Sequence, residues 1–140
     1  MKLLRYGQPG AERPGILDAQ GQIRALPAKF ADISGEGLLP DSLDRLRRLD
    51  LSALPLVAGS PRIGPCVGQV GKFVCIGLNY ADHAAETGAE IPKEPVVFNK
   101  WTSASCGPND NVESPRGSLK TDWEVEAGVV MCQGGRYIRE

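Results

Sequence analysis

Glycine and proline interrupt this chain so often that no long helix or strand can run through it. There are 17 glycines and 11 prolines among its 140 residues, a fifth of the chain, where average usage is about 12%. Glycine costs about 1 kcal/mol and proline about 3 kcal/mol in a helix interior. The sequence therefore predicts a β-rich α+β protein whose short elements are joined by many turns, and it argues against a helical bundle.

The first part of the chain is predicted to form a small sheet and one helix. Three short apolar runs are separated by turn residues and predict three strands, at 2–6, 15–18 and 22–26, with breaks at Pro9-Gly10, Pro14-Gly15 and Gln20-Gly21. A helix should begin at Pro40-Asp41-Ser42 and present an apolar stripe of Leu43, Leu46 and Leu49.

A stretch rich in glycine and proline, residues 58–72, predicts a boundary between two modules. We expect a small N-terminal α+β domain over 1–71 and a second domain over 72–140. The second domain should contain a fully buried strand at 73–76, a helix at 80–87 ended by Gly88, a strand at 95–98, a turn at 107–111 and its best strand at 122–131.

Charge and composition exclude several classes of partner. Sixteen Lys and Arg against 17 Asp and Glu give a formal net charge of −1, which lacks the positive field of a non-specific nucleic-acid binder. No apolar run approaches the roughly 18 residues of a membrane span, and the first residues do not read as a signal peptide. The four cysteines form no C-x-x-C pair. We therefore predict a cytoplasmic protein with no nucleic-acid or membrane partner.

The single histidine, His83, has Glu86 three residues after it. On a helix, these positions share a face, so Glu86 can accept a hydrogen bond from one imidazole nitrogen. The other nitrogen would then be available as a general base. The alternative is an exposed helix on which the two residues are incidental neighbours.

Three carboxylates alternate along the predicted strand at Asp122, Glu124 and Glu126. On a strand they share one face at a spacing of about 7 Å, which allows two of them to converge on one cation. Ligands that offer only oxygen favour Mg²⁺, Mn²⁺ or Ca²⁺ over zinc. The alternative is the solvated polar face of a half-buried strand.

Together with other motifs, these residues resemble the bacterial branch of the fumarylacetoacetate hydrolase family. The specific pair is G-x-N-Y-x-x-H-x-x-E at 77–86 and D-x-E-x-E at 122–126, in this order and separation. The weaker motifs EPVVFNK and PRG lie between them, at 94–100 and 115–117. The resemblance extends over essentially the whole chain. Members of this branch are often labelled acylpyruvate hydrolase, ureidoglycolate lyase or 2,4-diketo-3-deoxy-sugar-acid hydrolase.

The resemblance implies a fold, a cofactor and roles for named residues. The fold is a small N-terminal domain followed by the first part of a mixed β-roll. Glu124 and Glu126 match two Mg²⁺-binding carboxylates, His83 and Glu86 match a dyad that activates water, and Lys100 matches a basic position that meets an anionic substrate group. The implied reaction is hydrolysis of a carbon–carbon bond in a 2,4-dioxo acid, with isomerase, decarboxylase or lyase chemistry as alternatives. A homodimer is expected.

The resemblance also places a third metal carboxylate and a catalytic lysine further along family chains than Glu140. Two carboxylates with water bind Mg²⁺ weakly, because the ion needs near-octahedral coordination. A second hypothesis therefore stands beside the enzyme. In it, the 140 residues are a truncated, catalytically incomplete fragment that is stable only through self-association or contact with a partner in a crystal.

Overall fold

The computed structural model describes residues 1–139 and has the β-rich α+β character that the sequence predicts. Its strands and helices, in chain order, are β1 (Leu3–Tyr6), β2 (Arg13–Leu17), β3 (Ile23–Ala25), α1 (Pro40–Arg47), β4 (Val74–Gly77), α2 (Ala81–Thr87) and β5 (Val96–Asn99). Short 3-10 turns lie at Gly35–Leu38, Leu51–Ala53 and Thr102–Ala104.

The chain divides into two compact units that are not simply consecutive halves. The first unit comprises Met1–Gly68 and the described residues from Gly107 onward, and the second comprises Gln69–Cys106. The second unit is thus an excursion of the chain that leaves the first unit at Gly68 and returns to it at Gly107. The expected domains at 1–71 and 72–140 stay a prediction.

The first unit contains an antiparallel three-stranded sheet in the order β1-β2-β3. Leu3 pairs with Ile16, and Gly15 pairs with Ala25. All three predicted strands form, but the break predicted at Pro14-Gly15 is wrong, because β2 begins at Arg13 and contains both residues. The Pro14 carbonyl accepts a hydrogen bond from the Leu26 N–H at 3.2 Å. Since β3 has already ended there, the missing proline N–H interrupts no strand pairing.

The core of the first unit lies between this sheet and α1. Its buried members are Ile16, which is 2% exposed, Leu26 and Leu46. Leu43 and Leu49 pack against them, so the leucine stripe predicted for the helix faces the core. The helix begins at Pro40. A backbone N–H at this first position would have no intrahelical partner, so the lack of an N–H in proline costs no hydrogen bond. No helix within residues 1–139 is long and apolar enough to cross a membrane.

The second unit contains a two-stranded antiparallel sheet, α2 and the 3-10 turn at Thr102–Ala104. In this sheet Val74 pairs with Asn99, and Gly77 pairs with Val96. The prediction that 73–76 is fully buried is wrong, since Val74 is 59% exposed. Two strands and one short helix cannot cover both faces of a sheet, so an apolar run alone does not secure burial.

The segment at 122–131 is the largest departure from the predicted secondary structure. The sequence predicts the best strand there, but the structure has no regular element at these positions. A strand obtains its backbone hydrogen bonds from a neighbouring strand, and no segment within residues 1–139 pairs with this one. Its apolar side chains face solvent, and Trp123 is 79% exposed.

Candidate functional site

Helix α2 carries the two residues of the predicted dyad, His83 and Glu86. The Asp82 carboxylate accepts the His83 backbone N–H at 2.9 Å, and the Thr87 hydroxyl donates to the His83 carbonyl oxygen at 2.9 Å. Both dyad side chains are exposed. Within the described residues no hydrogen bond joins the His83 imidazole to the Glu86 carboxylate. The shared helix is confirmed, and the predicted hydrogen bond is not formed.

Both ends of α2 are set by unusual backbone positions. Leu78, just before the helix, has a φ of 49°, in the left-handed region that non-glycine residues rarely adopt. At the other end, Gly88 has a φ of 67°, and the Ala89 N–H donates to the Ala84 carbonyl oxygen at 2.9 Å. This is the glycine helix end that the sequence predicts. Strained residues concentrate at functional sites, so Leu78 supports a site at the start of α2.

Lys100, the predicted substrate-binding cation, follows β5 in the same compact unit as His83 and Glu86. Its backbone N–H donates to the Phe73 carbonyl oxygen at 3.1 Å, which continues the pairing of β4 and β5 by one rung. Its side chain is exposed. The fold therefore brings three predicted site residues into one unit of fewer than forty residues.

The two predicted metal ligands lie outside that unit. Glu124 and Glu126 are exposed and belong to the segment without regular structure. The Asp122 carboxylate accepts the Trp123 backbone N–H at 2.8 Å. Nowhere in residues 1–139 do three or more His, Cys, Asp or Glu side chains gather as a metal ion would require. Because Mg²⁺ needs near-octahedral oxygen coordination, these residues do not by themselves fit a magnesium centre.

The strongest electrostatic feature, an ion-pair network in the first unit, was not predicted from the sequence. The Arg62 guanidinium binds both oxygens of Asp110, with Nε–Oδ1 2.7 Å and Nη2–Oδ2 2.5 Å, and its Nη1 donates to Glu12 Oε1 at 3.0 Å. Arg5 Nε donates to Asp32 Oδ1 at 2.8 Å. These pairs join residues 27 to 50 positions apart, and no local pattern predicts such pairing. The only local sign was the turn at 107–111.

The network shifts the pKa values of Glu12, Asp110 and Arg62. The hydrogen bond from Arg62 lowers the pKa of Glu12 and is also the largest cause that lowers the pKa of Asp110. The two carboxylates in turn raise the pKa of Arg62. The charged forms of Glu12, Asp110 and Arg62 are therefore favoured in the folded state.

Acid is expected to destabilise the first unit as the pH falls below about 4. The folded pKa values of Glu12 and Asp110 are lowered, so the unfolded chain takes up protons first and the stabilisation present above pH 4 is lost. The urea midpoint should therefore drop between pH 6 and pH 3. Asp110→Asn should make this drop smaller, because Asn does not titrate. Asp44→Asn, which alters an exposed pair with Arg47, is the control and should keep the wild-type drop. An equally large drop in Asp110→Asn would contradict the expectation.

The sequence of the chain is similar to those of known proteins. Residues 72–140 match the family model described as fumarylacetoacetate (FAA) hydrolase C-terminal. A Burkholderia multivorans protein and a Burkholderia ambifaria protein, both named "Putative hydrolase", are 66% and 65% identical to this chain over 131 residues. In each case the match covers 94% of this chain and 46% of the relative. The chain thus spans about half the length of the curated relatives it matches.

A solved structure shows the same pattern of coverage. The crystal structure of a "putative HpcE protein" from Mycobacterium smegmatis is 25% identical and superposes with a TM-score of 0.56. The similarity covers 84% of this chain and 42% of that protein. The fold described above therefore occurs as part of a larger protein.

Proposed function

We propose a function from the premise that this chain belongs, through residues 72–140, to the fumarylacetoacetate hydrolase family. The proposed reaction is the hydrolysis of a carbon–carbon bond in a 2,4-dioxo acid, either an acylpyruvate or a diketo-deoxy-sugar acid, in the cytoplasm. The observation that carries the proposal is the placement of His83 and Glu86 three residues apart on α2, directly after the strained turn at Leu78.

In this proposal His83 is the general base. Its imidazole takes a proton from a water molecule, and the resulting hydroxide attacks the carbonyl carbon distal to the carboxylate. The bond between that carbon and the neighbouring methylene then breaks, which yields one carboxylic acid and the enolate of a 2-oxo acid. The enolate carbon takes back the proton from His83. Histidine suits both steps because it gains and loses protons near neutral pH.

Glu86 acts through His83 and is therefore a positioning residue. The two side chains share one face of α2 and are both exposed, so rotation about their side-chain bonds can bring the carboxylate to the imidazole. That hydrogen bond would fix which nitrogen carries the proton. Lys100 supplies a positive charge in the same unit, which suits the substrate carboxylate.

We propose that the metal ion is Mg²⁺, with Mn²⁺ or Ca²⁺ as alternatives. Glu124 and Glu126 would supply part of its ligands. Bound there, the ion would supply Lewis-acid polarisation of the substrate oxygens. It needs more oxygen donors than the residues at 1–139 bring together. An isomerase, a decarboxylase or a lyase would use a similar enolate. The proposed site residues therefore do not depend on which of these reactions the protein catalyses.

A second candidate is that the 140 residues are catalytically incomplete by themselves. Two observations favour it: the described residues form no metal-binding group, and the apolar residues of β4 and β5 are largely exposed. Exposed apolar surface of this kind marks an interaction site. We propose that a second copy of the chain covers it in a homodimer.

Turnover of an acylpyruvate with and without EDTA tests the proposal, with the Burkholderia multivorans relative as positive control. Turnover by this chain that EDTA abolishes supports the metal-dependent hydrolase, whereas turnover that survives EDTA contradicts the metal. Turnover by the relative alone supports the incomplete-chain candidate. If neither protein cleaves any 2,4-dioxo acid, the proposed reaction is wrong.

A further inference from the structure

A buried glycine flanks each end of the excursion at 69–106: Gly68 where the chain leaves the first unit and Gly107 where it returns. At the outgoing end, the Gly68 N–H donates to the Ile33 carbonyl oxygen at 2.9 Å. A Cβ at Gly68 would lie 2.5 Å from Asp32 Oδ2 and 3.1 Å from Arg5 Cζ, so the Arg5–Asp32 pair lies directly against this backbone. The next residue, Gln69, has a φ of 52°, which turns the chain sharply as it leaves the first unit.

The returning end is held by the other pair of the network. The Gly107 N–H donates to Asp110 Oδ2 at 2.7 Å, and Arg62 binds both oxygens of the same carboxylate. A Cβ at Gly107 would lie 2.1 Å from the Ile63 carbonyl oxygen. Only glycine, which has no Cβ, allows the backbone at position 107 to lie this close to the Ile63 carbonyl oxygen.

Glu12 joins these two attachments into one. Its Oε1 accepts from Arg62 at 3.0 Å, and its Oε2 lies 3.7 Å from Arg5 Nη2. The Glu12 side chain is only 7% exposed. Charges of alternating sign therefore run without a break from Asp32 through Arg5, Glu12 and Arg62 to Asp110.

We propose that this network is a clasp that fixes both ends of the excursion at 69–106 together. Its five members all lie in the first unit, and the clasped chain carries His83, Glu86 and Lys100. Because Glu12 is shared, weakening the pair at one end loosens the other end as well. The clasp itself rests on the contacts above.

Hydrogen–deuterium exchange tests the clasp in the full chain without any substrate. In Asp110→Asn, exchange should become about tenfold faster in peptides that cover 104–112 and also in peptides that cover 66–72, where the Gly68 amide is the most direct probe. Arg62→Lys keeps the charge but loses the two-pronged contact with Asp110. It should have the same effect, and it serves as the second variant if Asp110→Asn does not fold.

Asp18→Asn is the matched control. Asp18 pairs with Arg24 at 2.8 Å in the same unit, with both side chains largely covered, but neither residue belongs to the network. This variant should leave exchange at both ends unchanged. Faster exchange at 104–112 alone would show that the two attachments act separately and would overturn the clasp. So would an equal acceleration across β1, β2 and β3, or an equal effect of Asp18→Asn. None of these results depends on whether the chain cleaves a dioxo acid.

Discussion

Asparagine in place of His83 is expected to lower the turnover of a 2,4-dioxo acid by about 10²- to 10⁴-fold, the usual contribution of a general base. Asparagine is polar and close in size to histidine, but it cannot take a proton from water. His83 is exposed on α2, so the substitution should leave the fold unchanged. The measurement is kcat, made on whichever of the two proteins in the turnover assay above is active. Far-UV circular dichroism is the check on folding.

The companion variant Glu86→Gln separates positioning from general-base catalysis. It should lower kcat by less than His83→Asn, because the imidazole remains to act as the base and only the carboxylate that orients it is lost. Glu90→Gln is the matched control, since Glu90 lies in the same unit but beyond the end of α2. Its kcat should match the wild type. Wild-type kcat in His83→Asn would refute the assignment of the base.

Alanine in place of Ile16 is expected to destabilise the first unit by about 2–5 kcal/mol. Ile16 is 2% exposed and forms the buried core with Leu26 and Leu46, so the truncation leaves a cavity that few neighbours can fill. Natural domains are stable by only about 5–15 kcal/mol, and this core is small. The urea midpoint should fall sharply, or the cooperative transition should disappear.

Leu56→Ala is the control for this core substitution, because Leu56 is 52% exposed in the same unit. Its effect should stay within about 0.5 kcal/mol. Unfolding should be followed by far-UV circular dichroism, since Trp101 and Trp123 are both about 80% exposed and would report poorly on the core. An equal midpoint for Ile16→Ala and the wild type would contradict the described packing.

Local patterns predicted much of the fold correctly. The sheet β1-β2-β3, helix α1 with its leucine stripe, and helix α2 with its glycine end all lie near their predicted positions. Each depends on signals within a few residues, such as turn glycines, a proline at a helix start and apolar spacing. The segment at 122–131 had equally good local signals but forms no strand. Alternation selects which side chains share a face, whereas a strand also requires a partner.

The sequence predicted part of the candidate site correctly and part of it wrongly. The sequence placed His83 and Glu86 on one helix face, because a spacing of three residues guarantees it. Their hydrogen bond depends on side-chain rotation and does not form in the structure. Glu124 and Glu126 were expected to share a face of a strand, and without that strand their alternation carries no geometric meaning.

The sequence by itself determined the short elements, the turns and the motifs of the fumarylacetoacetate hydrolase family, because all of these are encoded by residues close together in the chain. Only the tertiary structure decided that Glu12 and Asp110 meet Arg62, and that the chain at 69–106 leaves and returns through two glycines beside the same network. Ion pairs between residues 48 and 50 positions apart leave no periodic trace in a sequence. They form because folding brings distant charges together where water is partly excluded, and there each charge needs a partner.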